Sequence, residues 1–250
     1  LKESILIFTI GIFCYNLAKI NQKITFSVIL ILVSLLCVLL VLKFYVLIAL
    51  LPVVIAWILN HKIIHKWYYA YGLSILFVIT CAFIVGSIYP EYNVIHILVA
   101  KQNDFVNMAV VLNVNSAFEM TPLKPDVFSI LMAIPEGLIN CFTKPWPNEI
   151  NNPLFIAPFL ENLFIIISII AAIVYYDKNK NVSFKFIVFC FSFSIFLYAI
   201  IGITTPITGA LVRYKVPVLP FLLIGIFCFI DSGLINLPGK KRIQKIINKL

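Results

Sequence analysis

The sequence predicts an all-α, polytopic transmembrane helical bundle of about seven spans, with a long, partly helical extracytoplasmic loop. Three observations carry that prediction. The 250 residues are 62% hydrophobic and only 12% charged, whereas a soluble domain is about half apolar and about a quarter charged. Several apolar runs approach or exceed the roughly 18 residues that cross a bilayer. The runs do not alternate apolar with polar residues, so the strands of a β-barrel are excluded.

The spans fall at 4–18, 24–42, 44–60, 68–89, 154–176, 184–203 and 216–235. The first is short. The first residue is Leu1 rather than Met, as in a fragment whose preceding segments are missing, and no small-residue cleavage site marks a signal peptide. Only a tight turn near Lys43 and Phe44 separates the second span from the third. The chain divides into N-terminal spans (1–89), an outer loop (90–153), C-terminal spans (154–235) and a basic tail (236–250).

Orientation follows from the lysines and arginines in the connections. One alternate set holds Lys19 and Lys23, then Lys62 and Lys66, then Lys178, Lys180 and Lys185, and the tail adds Lys240, Lys241, Arg242, Lys245 and Lys249. The other set holds Lys43, the loop from Pro90 to Pro153 with six acids against three lysines, and Arg213 with Lys215. The first set and the tail are therefore expected in the cytoplasm, and the long loop outside. The net charge of +9 is accounted for by these topology signals, and no nucleic-acid partner is expected.

Other chemistry is thin. The six cysteines form no CxxC pair, five lie in apolar runs, and Cys141 stands alone in the outer loop, so no metal or disulfide framework is expected. His61 and His65 are four apart but lack a third ligand. No P-loop or Gly-rich dinucleotide turn occurs, so no cofactor is expected. The sequon Asn181-Val182-Ser183 falls on the cytoplasmic side.

The loop is too long for a plain connection. In "NVIHILVAKQNDFVNMAVVLN" the apolar residues recur at helical spacing, which predicts one or two helices on the outer membrane face. Asp126 then starts a helix, Pro135 interrupts it and "KPWP" ends it, with Trp146 at the membrane boundary. The loop acids Glu91, Asp104, Glu119, Asp126, Glu136 and Glu149 offer polar contacts, and no spacing marks one as a base. Glu161 lies about seven residues into the following span, roughly 10 Å deep. An acid there faces the bundle interior or a wet cavity, and Asn162 is beside it. A hydrogen bond to a neighbouring helix is the plainer role for this pair.

The stretch "GALVRYKVPVLPFL" places Arg213, Tyr214 and Lys215 before Pro217 and Pro220. Snorkelling to lipid headgroups explains two outer cations by themselves. With the N-terminus of a helix beginning at Pro217, they also make an anion site, since an arginine fork matches phosphate oxygens.

This stretch resembles the R-Y-x-x-P-x-x-P segment near the end of bacterial polytopic sugar-polymer proteins, including GT-C-type membrane glycosyltransferases that use polyprenyl-phosphate sugars. The likeness rests on Arg213, Tyr214, Pro217 and Pro220, and on Pro135, Lys144, Pro145, Trp146, Pro147, Glu161 and Asn162 in "PEGLINCFTKPWP…NPLFIAPFLENLF". It covers about the last 120 residues. The resemblance implies a lipid-linked sugar donor handled at the outer face of a bacterial inner membrane, its phosphate held by Arg213, Tyr214, Lys215 and Lys144, with the C-terminus cytoplasmic. Such enzymes usually carry a catalytic acid in an early outer loop near the N-terminus; this sequence starts after that region or lacks it, so no catalytic residue is assigned. An O-antigen-type polymerase or ligase fits equally. A transporter predicts polar residues through several spans, where Glu161 is the only clear acid; a non-catalytic scaffold tolerates loss of Arg213.

Overall fold

The computed structural model describes residues 2–20, 25–64, 66–149, 153–176 and 183–230. Its α-helices are α1 (Lys2–Ile20), α2 (Phe26–Leu42), α3 (Phe44–Lys62), α4 (Trp67–Ile88), α5 (Val94–Val111), α6 (Val127–Thr143), α7 (Ile156–Val174), α8 (Phe184–Thr204), α9 (Thr208–Lys215) and α10 (Leu219–Phe227). No strand occurs among the described residues. His65, Lys178, Lys180, most of the sequon, Asp231 and the basic tail lie outside them.

Among the described residues, five helices are long and apolar enough to span a membrane: α1, α3, α4, α7 with the turn before it, and α8. A sixth results if α9 and α10, bent by 59° across a short break, count as one span. The sequence predicts seven. The difference lies in length. The 17 residues of α2 reach about 26 Å, short of the roughly 30 Å hydrocarbon core. The last predicted span is broken near its start.

Helix ends follow local chemistry. Thr25 caps α2, its hydroxyl accepting from Val28 N–H. Asn93 caps α5, and Asp126 caps α6 by accepting from Ser129 N–H at 2.7 Å. Lys43 alone separates α2 from α3 in extended conformation, the tight turn expected there. Asn113, just past α5, takes a positive φ of 47°, a conformation that asparagine tolerates.

Core packing centres on α8, which contacts α3, α5, α6, α9 and α10. Leu197, Ile201, Phe193 and Tyr198 on it are almost fully buried. The partner of α8 that the sequence does not reveal is α6. Expected as a helix at the outer face broken at Pro135, α6 instead runs unbroken through Pro135 and lies antiparallel against α8. Gly137 meets Gly202, and the Cys141 thiol donates to the Tyr198 carbonyl at 3.4 Å. Tyr198 is six residues from the end of α8, so Cys141 sits about 9 Å in from that end. Cys141 is thus a buried helical residue, not a loop cysteine. Proline inside α6 leaves the Leu131 carbonyl without its usual partner, a loss offset by burying the helix face.

The glycine pair sets the closeness of the crossing. A Cβ on Gly202 would stand 2.2 Å from the Gly137 carbonyl oxygen, and one on Gly137 2.8 Å from Gly202 backbone. Gln102 of α5 staples the 112–126 segment onto the same place. Its amide donates to the carbonyls of Ile203 and Thr121 at 3.0 and 3.1 Å, and its oxygen accepts from Leu123 N–H at 2.7 Å. A two-bond bridge, Phe118 N–H to Pro206 O and Thr208 N–H to Ser116 O, adds a second clamp.

The contacts separate two ends. Glu3, Lys43 and Arg213 meet at one. At the other, the Lys185 ammonium donates to the Asn60 carbonyl and Trp67 meets Phe184. These are the two sets of connections that the charge count distinguishes.

Candidate functional site

Six side chains from five parts of the chain gather at the first of these ends. Glu3 is in the first turn of α1, Lys43 is the residue between α2 and α3, Tyr45 begins α3, Lys101 is in α5, and Arg213 and Tyr214 are in the last turn of α9. One oxygen of Glu3 accepts from Lys43 Nζ at 2.8 Å and from Arg213 Nε at 2.7 Å. The Tyr45 and Tyr214 rings stand 5.3 Å apart. Lys101 Nζ lies 4.2 Å from the centre of the Tyr45 ring and 5.6 Å from that of Tyr214. Lys43 Nζ lies 4.7 Å from the Tyr214 ring.

The charges do not balance: three cations share one carboxylate. Lys101 Nζ has no hydrogen-bond acceptor among the described residues; only the tyrosine faces offset its charge. Such contacts contribute about 0.5–2 kcal/mol, less than a counter-ion supplies. Burial, and then the charge of Lys43, push the Lys101 ammonium down to about 8. Arg213 is 61% exposed and uses Nε on Glu3, which leaves its terminal nitrogens as a fork for an incoming anion. The arrangement is a half-open cationic cup walled by two tyrosines.

A second polar group lies deeper. Lys215 is 0% exposed. Its amine donates to Asn162 Oδ1 at 2.7 Å and to the Cys141 carbonyl at 2.9 Å. Asn162 in turn donates to the Lys144 carbonyl at 2.6 Å. The ends of α6 and α9 and the middle of α7 are tied together by this chain. Lys144 pairs through its ammonium with Glu149 and lies over the Phe118 ring.

The four residues expected to hold a phosphate therefore divide. Arg213 and Tyr214 join the cup; Lys215 and Lys144 belong to the buried chain. The reason is helical geometry. Arg213 and Lys215 are two residues apart on α9, about 200° around its axis, so they face opposite ways. The expected helix N-terminus also moves. Arg213 and Lys215 occupy the last turn of α9, where the helix dipole is negative and favours cations, and the proline that opens α10 is Pro220.

The Glu161–Asn162 pair divides too. Asn162 is buried and bonded, while Glu161 is half-buried with one carboxylate oxygen enclosed and unpartnered among the described residues. Of the loop acids, Glu136 accepts from Thr121 N–H at 3.2 Å, Asp126 caps α6 and Glu149 pairs with Lys144. His61 bonds the Trp57 carbonyl, and no group of three metal-ligating side chains occurs among the described residues.

Sequence reading missed Glu3, Lys43, Tyr45 and Lys101 as members of the cup. Lys43 and Lys101 carry a faint signal, being among the few cations of the cation-poor set of connections. Glu3 carries none, because only folding brings it to Arg213. A cavity of about 680 Å³ is a different feature: it lies between α7, α8 and α10, is lined by Ile169, Phe191, Ile195 and Leu222 among others, and has no charged side chain among the described residues that line it. No protein-family model, curated protein or solved structure matches the chain.

The cup predicts its own pH response. An anion held with help from protonated Lys101 weakens as pH rises through about 8, while the Arg213 guanidinium, held protonated by Glu3, stays charged. A stability check has the opposite sign. From about 8 to 10.5, the unfolded chain keeps the Lys101 proton that the anion-free fold has released, so anion-free stability rises with pH across that window. Lys101→Met abolishes both trends. Thermal unfolding against pH, with and without inorganic phosphate, reads them.

Proposed function

We propose that this chain is part of a GT-C-like membrane glycosyltransferase that transfers sugar from a lipid-linked donor. In this reading the apolar helices cross a bacterial inner membrane, the 90–153 segment and α9 face outward by the positive-inside rule, and the tail is cytoplasmic. The phosphate of the donor lipid sits in the cup. One observation carries the proposal: three cations, Lys43, Lys101 and Arg213, stand around two tyrosines with a single carboxylate between them. A lipid phosphate supplies the missing negative charge, and the membrane holds the lipid where the cup opens.

The test is binding of a polyprenyl-phosphate sugar to the purified chain. Arg213→Ala is expected to weaken binding by about tenfold or more, and Arg213→Lys to restore part of it, since a lysine keeps the charge and loses the fork. Lys101→Met is expected to act in the same direction. Equal binding in the parent chain and all three variants removes the proposal.

A transporter is the second reading, and the bent pair α9–α10 with the buried Lys215 supports it, because broken helices and enclosed ionisable groups mark substrate paths. Flux of the lipid-linked sugar across sealed vesicles, without sugar transfer, would favour it.

A further inference from the structure

A small polar cavity of about 120 Å³ lies beside the start of α9, between the 115–118 segment and the 148–149 turn. Asn115, Ser116, Asn148, Glu149 and Thr208 line it together with the Phe118 ring. Thr208 is 4% exposed as a residue, and its side chain lines the cavity. The Asn115 and Asn148 carboxamides have no partner among the described residues.

Both walls are fixed before any ligand arrives. The bridge between Ser116–Phe118 and Pro206–Thr208 holds one wall against the α8–α9 junction. The other is held by Glu149, which accepts from Trp146 N–H at 2.9 Å, donates its own N–H to the Trp146 carbonyl, and pairs with Lys144. The Lys144 ammonium, 4.9 Å from the Phe118 ring centre, steadies that ring. Preorganised polar groups lose little entropy when a ligand binds.

The chemistry differs from that of the cup. The one anion and one cation here already neutralise each other, so nothing attracts a phosphate. Two carboxamides and two hydroxyls each donate and accept, which matches the double role of a sugar hydroxyl, and the Phe118 ring offers an apolar face. The volume is below the roughly 300 Å³ at which pockets for drug-sized ligands begin, so the edge of one ring fits and a chain does not. We infer that this cavity is a binding site for a neutral polyhydroxyl ligand, a single pyranose edge, separate from the cationic cup. Thr208 and Arg213 are five residues apart on α9, on the order of 8 Å along the axis and on different faces, so the two sites fill independently. The assignment of the ligand as a saccharide rests on the glycosyltransferase reading; the site itself does not.

The experiment uses the full chain in phospholipid nanodiscs, because glycoside detergents would occupy the cavity. The probes are the methyl glycosides of glucose, galactose and N-acetylglucosamine, read by saturation-transfer NMR, with Trp146 fluorescence as a second signal. At least one glycoside is expected to bind saturably. Asn115→Ala, Asn148→Ala and Thr208→Val are each expected to weaken it about tenfold, with Arg213→Ala unchanged and inorganic phosphate not competing. Both asparagines are exposed, so folding survives their loss. The inference falls if no glycoside saturates, if the three variants bind like the parent chain, or if phosphate competes. Sugar binding without Arg213-dependent lipid-phosphate binding would remove the glycosyltransferase reading and leave this site standing; the reverse result would do the opposite.

Discussion

Gly202→Leu is expected to abolish the folded bundle, and Gly202→Ala to destabilise it severely. Even the single carbon of alanine would stand 2.2 Å from the Gly137 carbonyl oxygen and 2.5 Å from its carbonyl carbon. Both are backbone atoms, so no side chain can swing away. The helices must separate, and α8 is the element on which α3, α6 and α10 converge. Overpacking a well-filled core costs about 1–3 kcal/mol where side chains absorb the strain; here the backbone must move, and the alanine cost is expected at or above that upper end. Gly137→Ala is expected to be milder, since its nearest atoms lie at 2.8 Å. Gly11→Ala and Gly72→Ala, where nothing lies within 4 Å, are expected to be neutral or slightly stabilising, as alanine favours helix by about 1 kcal/mol over glycine. Thermal unfolding of the four alanine variants in one membrane mimetic checks the order. Equal melting temperatures for Gly202→Ala and Gly72→Ala would refute the crossing.

The second large effect is expected at Asn162, and it exceeds the effect of removing the amine that Asn162 serves. Asn162→Leu deletes one of the two acceptors of the Lys215 amine and strands the Lys144 carbonyl. An unsatisfied buried donor costs about 1–3 kcal/mol, and a buried charge deprived of a partner about 3–5. A loss near 3 kcal/mol is expected. Lys215→Met removes the amine itself, keeps most of the side-chain volume, and leaves only neutral oxygens to re-pair. Replacing a buried ionic group by an apolar one of similar shape is often tolerated, so a loss under about 2 kcal/mol is expected. The double variant should recover part of the Asn162→Leu loss. A double-mutant cycle measures that coupling, and strict additivity would show that the two side chains do not depend on each other.

Much of the fold is legible in the sequence because the bilayer imposes length and apolarity on each span. α1, α3, α4, α7 and α8 begin and end within a few residues of the apolar runs that predict them. The Asp126 cap and the turn at Lys43 are equally local. What the sequence hides is contact between distant segments. α6 reads as a surface helix because it is short, carries Pro135 and follows polar loop residues. Its docking depends on Gly137 finding Gly202, and neither glycine is informative without the other. Lys215 reads as a surface cation because Arg213 is nearby in the chain, although two residues on a helix turn a side chain to the opposite face. The cup is half legible: Arg213 and Tyr214 draw attention by their neighbours, whereas Glu3 is 210 positions away.

α9 has only eight residues, yet it holds one basic side chain toward the solvent and another in the interior. The inner one is pinned by two acceptors that belong to different helices. The short rod therefore acts like an axle locked by a key. It cannot roll to chase a ligand on its outer side without pulling the key from its slot. Arg213 has the reach of its own side chain and no more, so the bearing at which an anion must arrive is fixed by an amine that the anion never meets.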